Sequence, residues 1–248
     1  MGLGDQGRAV VTGASSGIGA ATARRLHAVG FAVTIGARRF DRLQTLAMEL
    51  GEGVQALRLD VADEHSVEQF AAAVPKCDVL VCNAGGALGL EPVVEISETY
   101  WRQMWETNVM GVVRCVRVFL PKLIASGNGR IVVITSVAGH QIYVNGGGYT
   151  SAKHAAAVVT DTLRLELLGE PVRVIEIAPG MVDTEFSLVR FAGDEQRAAQ
   201  TYKGMTPLTA EDVAEAIEWA VTRPANVTVA RIDLFARAQA SARDVYRQ

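Results

Sequence analysis

Tyr149-Thr150-Ser151-Ala152-Lys153 sets a phenol and an ammonium four residues apart. On a helix that spacing is one turn along one face. A phenol beside a cation is a candidate proton donor and acceptor, because a neighbouring positive charge favours phenolate. The competing reading is an exposed i,i+4 pair. Ser136 follows the β-branched run 131–135, at the carboxyl edge of a strand, and Asn108 lies in the helix before that strand. A second constellation opens the chain, where the run 8–12 leads into Thr12-Gly13-Ala14-Ser15-Ser16-Gly17-Ile18-Gly19 and then into helical spacing. Glycines there allow a tight turn, and the backbone of Gly13, Ser15, Ser16, Gly17, Ile18 and Gly19 can approach a phosphate at a helix N-terminus. The Gly-x3-Gly-x-Gly spacing is looser than the usual dinucleotide fingerprint, and no P-loop lysine follows. An NAD site carries an acid at the end of the second strand; here Ile35-Gly36-Ala37-Arg38-Arg39-Phe40 supplies two guanidinium groups and no carboxylate. That pattern suits a 2′-phosphate and predicts NADP(H) over NAD(H). Two solvated helix-start arginines are the alternative.

Short β-branched runs at 8–12, 32–35, 54–59, 78–82, 131–135, 172–177 and 227–235 alternate with segments of helical periodicity, the first at 17–29. Most runs are continuously apolar, as parallel strands covered on both faces require. The pattern predicts an α/β, doubly wound Rossmann-type fold: a central, mainly parallel seven-stranded sheet flanked by helices, in one domain over residues 1–248. Thr209 with Asp212 reads as a capping box opening a late helix, and Pro224 marks its end. Two segments break the rhythm. Residues 139–148 hold four glycines and read as a flexible loop; residues 180–207, with Phe186, Leu188, Val189, Phe191 and Met205, read as a substrate lid.

The 248 residues are 49% apolar, with 24 basic against 27 acidic side chains and a net charge of −3, which gives no global case for nucleic acid or an anionic membrane. Cys77, Cys82 and Cys115 are odd in number and without metal-ligand spacing, so reduced thiols and no metal are expected. The longest apolar stretch, 109–125, is interrupted by Arg114, Arg117 and Lys122. No signal-peptide core precedes the first strand, and Gly2 lacks the Ser or Thr of a myristoylation motif. A soluble cytoplasmic protein is expected.

Joined to Asp60-Val61 after the third run, Asn83-Ala84-Gly85 after the fourth, and Pro179-Gly180 with Val182 and Thr184, these motifs resemble the short-chain dehydrogenase/reductase family over essentially the whole chain. One departure is Cys82, where many members carry a second Asn. The resemblance implies an NADP(H)-dependent oxidoreductase interconverting an alcohol and a carbonyl. It makes Tyr149 the acid and base, its pKa brought from about 10 toward neutrality by Lys153 and the oxidised nicotinamide, a change worth roughly 3–4 kcal/mol. Ser136 would polarise the substrate oxygen, Lys153 would also hold the nicotinamide ribose, and Asn108 would hold a water linking Lys153 to solvent. Asp60 and Val61 would meet the adenine, Asn83, Ala84 and Gly85 the ribose region, and Pro179, Gly180, Val182 and Thr184 the nicotinamide end. The segments 100–126 and 150–168 are apolar on more than one face, through Trp101, Met104, Trp105, Val112, Val116, Phe119, Val158 and Leu163. The resemblance pairs them with a second copy, giving a homodimer or homotetramer, with the tail 236–248 lying across a subunit.

The segments 184–194, 201–202 and 208–213 more narrowly resemble bacterial NADP-dependent 3-hydroxy acid dehydrogenases, which implies L-allo-threonine, serine or a related substrate. A hydroxy acid needs a cation for its carboxylate, and Arg190 is the candidate. It could instead pair with Glu185 or Asp194, or face water. The loop His140-Gln-Ile-Tyr-Val-Asn-Gly-Gly-Gly148 departs from those relatives, so Gln141 and Tyr143 become candidates for shaping the pocket. His140 is either an extra acid/base or polar surface. Two alternatives stay open: a ketone or 3-oxoacyl reductase with a less polar substrate, and a catalytically silent NADP(H) sensor or scaffold. The intact set Asn108, Ser136, Tyr149 and Lys153 counts against the last.

Overall fold

Strands β1 (Arg8–Thr12), β2 (Ala32–Ala37), β3 (Val54–Arg58), β4 (Val79–Cys82), β5 (Gly129–Ile134), β6 (Val172–Pro179) and β7 (Arg231–Leu234) form one sheet in the order β3-β2-β1-β4-β5-β6-β7. Every neighbouring pair is parallel. The computed structural model describes residues 6–248, so Gly2 lies outside the described residues. Between the strands run α1 (Gly17–Ala28), α2 (Phe40–Leu50), α3 (Glu64–Ala72), α4 (Glu98–Trp105), α5 (Gly111–Ala125), α6 (Gly147–Glu166), α7 (Phe186–Arg190), α8 (Glu195–Tyr202) and α9 (Ala210–Val221).

The continuous apolar runs follow from burial on both faces. Val11, Val79, Val81 and Val132 point to a core with α1, α2 and α9, through Leu26, Leu43 and Ile217. Val10, Leu80, Ile131 and Val133 point to a second core with α3 and α5, through Phe70, Phe119 and Leu123, with Val159 and Leu163 of α6 at its edge. Each such aliphatic or aromatic side chain contributes about 1.5–3 kcal/mol. The capping box forms as read: Thr209 N–H donates to Asp212 Oδ2 at 2.7 Å, and Asp212 N–H donates to Thr209 Oγ1 at 3.2 Å.

One expectation is corrected. The last strand is shorter than the run 227–235, because the Arg173 guanidinium draws the Arg223, Pro224 and Val227 carbonyls to itself at 3.0, 3.2 and 2.9 Å. Glycines at both ends of the loop 139–148 are closely packed. Gly139 lies in the 3-10 turn Val137–Gly139, and a Cβ on Gly148 would strike the Met104 side chain. Of the apolar residues on α4, α5 and α6 and in the turn after α6, Met104, Val112, Val116 and Phe119 are internal, while Trp105, Val158, Leu165 and Leu168 are exposed. Within its own chain the tail is held by Tyr246 N–H on Ala238 O and Gln248 N–H on Gly204 O, which leaves its expected contact with a second subunit open. No described helix is long and apolar enough to cross a membrane.

Candidate active site

Between the central neighbours β1 and β4 the strand order reverses, which opens a crevice at their carboxyl ends. Gly13 and Gly17 adopt φ of 67° and 53°, the left-handed region that glycine enters freely. A Cβ on Gly13 would stand 2.8 Å from Ala84 Cα, so the turn and the end of β4 touch backbone to backbone. Thr12 Oγ1 accepts the N–H groups of Asn83 and Ala84, both at 3.0 Å. Asn83 Nδ2 donates to the Thr12 and Gly13 carbonyls at 2.9 and 3.3 Å. The Asn83 Nδ2 thus holds the glycine turn, while the residue also lines the cavity. Ser16 precedes α1 without a side-chain cap, leaving the first-turn N–H groups their capacity for an anion.

The two arginines after β2 differ from each other. Arg39 donates to Ser15 Oγ at 3.2 Å, Ser16 Oγ at 2.7 Å and Glu185 Oε2 at 2.8 Å, while Arg42 holds Glu185 Oε1 at 2.6 Å. The Arg42 and Arg39 hydrogen bonds take the Glu185 carboxyl down to about 2. The absence of a carboxylate here was therefore true only of the local sequence: folding delivers one from beyond β6. Arg38 is exposed and has no ion-pair partner among the described residues.

At the other end of the crevice, β5 delivers Ser136 and α6 delivers Tyr149 and Lys153, all buried. Ser136 Oγ donates to Pro179 O at 3.1 Å and accepts Ala138 N–H at 3.1 Å, which ties the ends of β5 and β6 together. Phe186 packs edge-on against Tyr149, with ring centroids 5.5 Å apart. Lys153 Nζ lies 5.8 Å from the Tyr149 ring centroid and donates to Ile134 O at 2.8 Å. Asn108 falls in a π-helical segment, Glu106–Met110, between α4 and α5. Its Nδ2 donates to Met104 O at 2.7 Å and Gly86 O at 2.9 Å, and its Oδ1 accepts Gly86 N–H at 3.2 Å. A Cβ on Gly85 would meet both Asn108 Oδ1 and Lys153 Nζ, so the two side chains flank that glycine.

Burial disfavours the charged form of both titrating groups. It pushes the Tyr149 phenol well above its ordinary value, with the Tyr143 phenol adding to the rise, while the Ser136 hydroxyl and the Arg190 guanidinium oppose it. Lys153, the expected lowering partner, is itself brought down to about 8 by burial, against the pull of the Glu176 carboxylate. The Lys153 ammonium donates to the Ile134 carbonyl rather than to the phenol.

Glu176 accepts Thr135 Oγ1–H at 2.5 Å on Oε1, and His140 Nε2 lies 2.7 Å from the same atom. Arg231 approaches His140 Nδ1 at 3.3 Å. His140 is thus a partner of a buried carboxylate, outside the cavity.

One cavity of about 500 Å³ joins both ends. Every residue nominated from the sequence lines it except Gly19, Asn108 and Gln141. Gly19 lies behind the turn, Asn108 behind Gly85, and Gln141 Oε1 accepts Ala242 N–H at 2.7 Å, bracing the tail instead of the pocket. Arg190 pairs with neither Glu185 nor Asp194; its Nε donates to Gly89 O at 3.0 Å and its Nη1 to the Tyr143 hydroxyl at 3.2 Å. The wall also includes Glu185, Gln239 and Arg243, which the sequence reading did not single out. The only signal for the last two was a tail longer than the final strand needs. The glycine cradle, closed to any Cβ, and the unpaired Arg38 at the same end fit a 2′-phosphorylated dinucleotide.

A family model described as short chain dehydrogenase matches residues 8–194. An uncharacterized oxidoreductase of Mycobacterium tuberculosis is 56% identical over 94% of this chain and 92% of its own. The NADP-dependent 3-hydroxy acid dehydrogenase of Schizosaccharomyces pombe is 40% identical over 96% of each. Among solved structures, the closed form of a serine dehydrogenase complexed with NADP+ superposes with a TM-score of 0.92, at 39% identity, over 97% of this chain and 100% of that one. Sheet order, glycine cradle and the Ser136–Tyr149–Lys153 cluster agree with that likeness, and the chain belongs to the short-chain dehydrogenase/reductase family as an NADP-dependent oxidoreductase.

Proposed function

We propose that the chain interconverts a 3-hydroxy acid, such as L-allo-threonine or serine, and the matching 3-oxo acid. The observation that carries this reading is the Arg190 guanidinium 5.7 Å from the Tyr149 ring centroid, a held cation against that ring in the same cavity. The names of the 3-hydroxy acid and serine dehydrogenase relatives support it. NADP(H), when bound, supplies the hydride and, in its oxidised form, a positive charge. Arg38 and the glycine turn hold its phosphates in this reading. Asp60 and Val61 meet the adenine, the backbone of Ala84 and Gly85 the ribose region, and Pro179, Gly180, Val182 and Thr184 the nicotinamide end. Ser136 hydrogen-bonds the substrate oxygen and Tyr149 moves the proton to or from it. Lys153 holds the nicotinamide ribose, and Asn108, a positioning residue, holds a water that links Lys153 to solvent. Residues 180–207 act as the lid, since α7 and the end of α8 already wall the cavity.

The test is the initial rate of NADP+ reduction with L-allo-threonine and serine against uncharged secondary alcohols. A preference of tenfold or more for the acids supports the reading, and equal rates reject it. The apolar wall of Met181, Phe186, Val189 and Phe191 favours a second reading, a ketone or 3-oxoacyl reductase, which the same panel run in reverse would reveal. NADPH binding with no turnover on any substrate would favour the sensor. The exposed Trp105, Val158, Leu165 and Leu168 support a homodimer or homotetramer, and light scattering at 26.5 kDa would refute it. The buried, unpaired thiols of Cys77, Cys82 and Cys115 support a cytoplasmic setting.

A further inference from the structure

The C-terminal tail carries a second guanidinium to the substrate end of the cavity. Arg243 Cζ stands 4.5 Å from the centroid of the Tyr143 ring, and Arg190 Cζ stands 5.7 Å from the same centroid. The Nε and Nη1 of Arg190 are already engaged by Gly89 O and the Tyr143 hydroxyl. Those of Arg243 are not: among the described residues its guanidinium has neither a hydrogen-bond acceptor nor an acidic partner, although it lines the cavity. The charged groups acting on it are Arg190 and Arg247, both of its own sign. The acidic side chains lining the cavity are Asp60 and Glu185, and the second is occupied by Arg39 and Arg42 at the dinucleotide end. The substrate end is therefore positive and uncompensated.

The tail holds Arg243 in a built turn rather than on a loose end. Ser241 Oγ accepts the N–H groups of Arg243 and Asp244 at 3.2 and 3.0 Å, and donates to Asp244 Oδ2 at 2.7 Å. Gln239 Nε2 donates to Ser241 O at 2.9 Å, while its Oε1 accepts Met181 N–H at 2.9 Å just beyond β6. Gln141 holds the next residue, Ala242. Stacking on Tyr143 further restricts the guanidinium, and a pre-oriented fork loses less on binding a carboxylate.

We infer that Arg243 is a specificity-determining residue that binds the carboxylate of the substrate through its guanidinium fork, while Arg190, already held, supplies the fixed field beside Tyr149. This rests on the hydroxy-acid reading and deepens it, moving the main carboxylate contact from the lid to the tail. The probes are 3-hydroxybutyrate and its methyl ester, which share a carbon skeleton and differ in charge. Arg243→Met should raise KM for the acid about 10- to 100-fold, the size of one charge-assisted contact, with the effect in KM rather than kcat. The ester's KM should move far less, and Arg243→Lys should recover part of the loss. NADPH fluorescence titration of each variant reports whether the fold is kept, and the Lys variant carries the test if the Met variant does not fold. Parallel rises for acid and ester, or an unchanged KM for the acid, would overturn the role of Arg243 while leaving the hydroxy-acid reading intact. A wild-type protein that handles acid and ester equally would overturn that reading itself.

Discussion

Replacing Lys153 by Met exchanges a buried ammonium for an apolar chain of similar length, and should stabilise the protein while abolishing turnover. Lys153 is 6% exposed, and burial holds its pKa at about 8 against an ordinary 10.5. The unfolded chain therefore binds that proton more tightly. The native state carries a cost of about 3 kcal/mol that is fully present below pH 8 and is released as pH rises toward the unfolded value. Losing the bond to Ile134 O returns about 1 kcal/mol of that gain. The variant should be more stable by about 2 kcal/mol at pH 7, and the advantage should vanish or reverse near pH 10.5. Urea unfolding followed by tryptophan fluorescence, at one protein concentration and at pH 7 and 10, measures the difference. A variant less stable than wild type at pH 7, or an advantage that does not change with pH, would show that the surroundings stabilise the ammonium and would refute the reasoning.

Tyr149→Phe removes the proton carrier without changing the packing against Phe186, and should lower turnover by several decades while NADPH affinity is mostly kept. Activity within threefold of wild type would place the acid elsewhere. Arg38→Asp should raise KM for NADPH about 10- to 100-fold and leave NADH nearly unaffected, because it removes a cation free of any carboxylate partner. Equal changes for both cofactors would remove the 2′-phosphate assignment. Glu176→Gln takes away the carboxylate that raises the Lys153 pKa, so the alkaline limb of the rate profile should move to lower pH. An unmoved limb would mean that Lys153 protonation does not limit the rate.

The sheet was legible because its signals are local. Continuous apolar runs such as 8–12 and 131–135 match strands to within a residue or two, and the Thr209–Asp212 capping box reads directly as geometry. The placement of Tyr149 and Lys153 one turn apart was legible for the same reason, since both fall on α6. What escaped depends on residues far apart in the chain. Nothing near Arg39 announces that Glu185 will neutralise it, and nothing near Arg190 announces Arg243. The π-helical turn at Asn108 has no residue pattern of its own; it is fixed by the Met104 and Gly86 carbonyls that the side chain must satisfy. The opposed titrations of Tyr149 and Lys153 also lie beyond spacing, because desolvation depends on what covers a group and not on its neighbours in sequence.

Ion pairing decides which cations remain for ligands. The chain is nearly balanced in charge, so its affinity for anions cannot come from its total. Around the cavity, Glu185 occupies Arg39 and Arg42 together, and Gly89 with Tyr143 occupies Arg190. Arg38 at the dinucleotide end and Arg243 at the substrate end are left with unused donors on the same wall. In the proposed reading these two cations meet two anions a cavity apart, a 2′-phosphate and a carboxylate. Because Glu185 sits in the segment that also carries Phe186 and Arg190, its contact with Arg39 couples the nucleotide end to the packing over Tyr149. Loss of that carboxylate would therefore free Arg39 as a second cation for the cofactor, beside Arg38, and loosen the cover over the phenol in the same step.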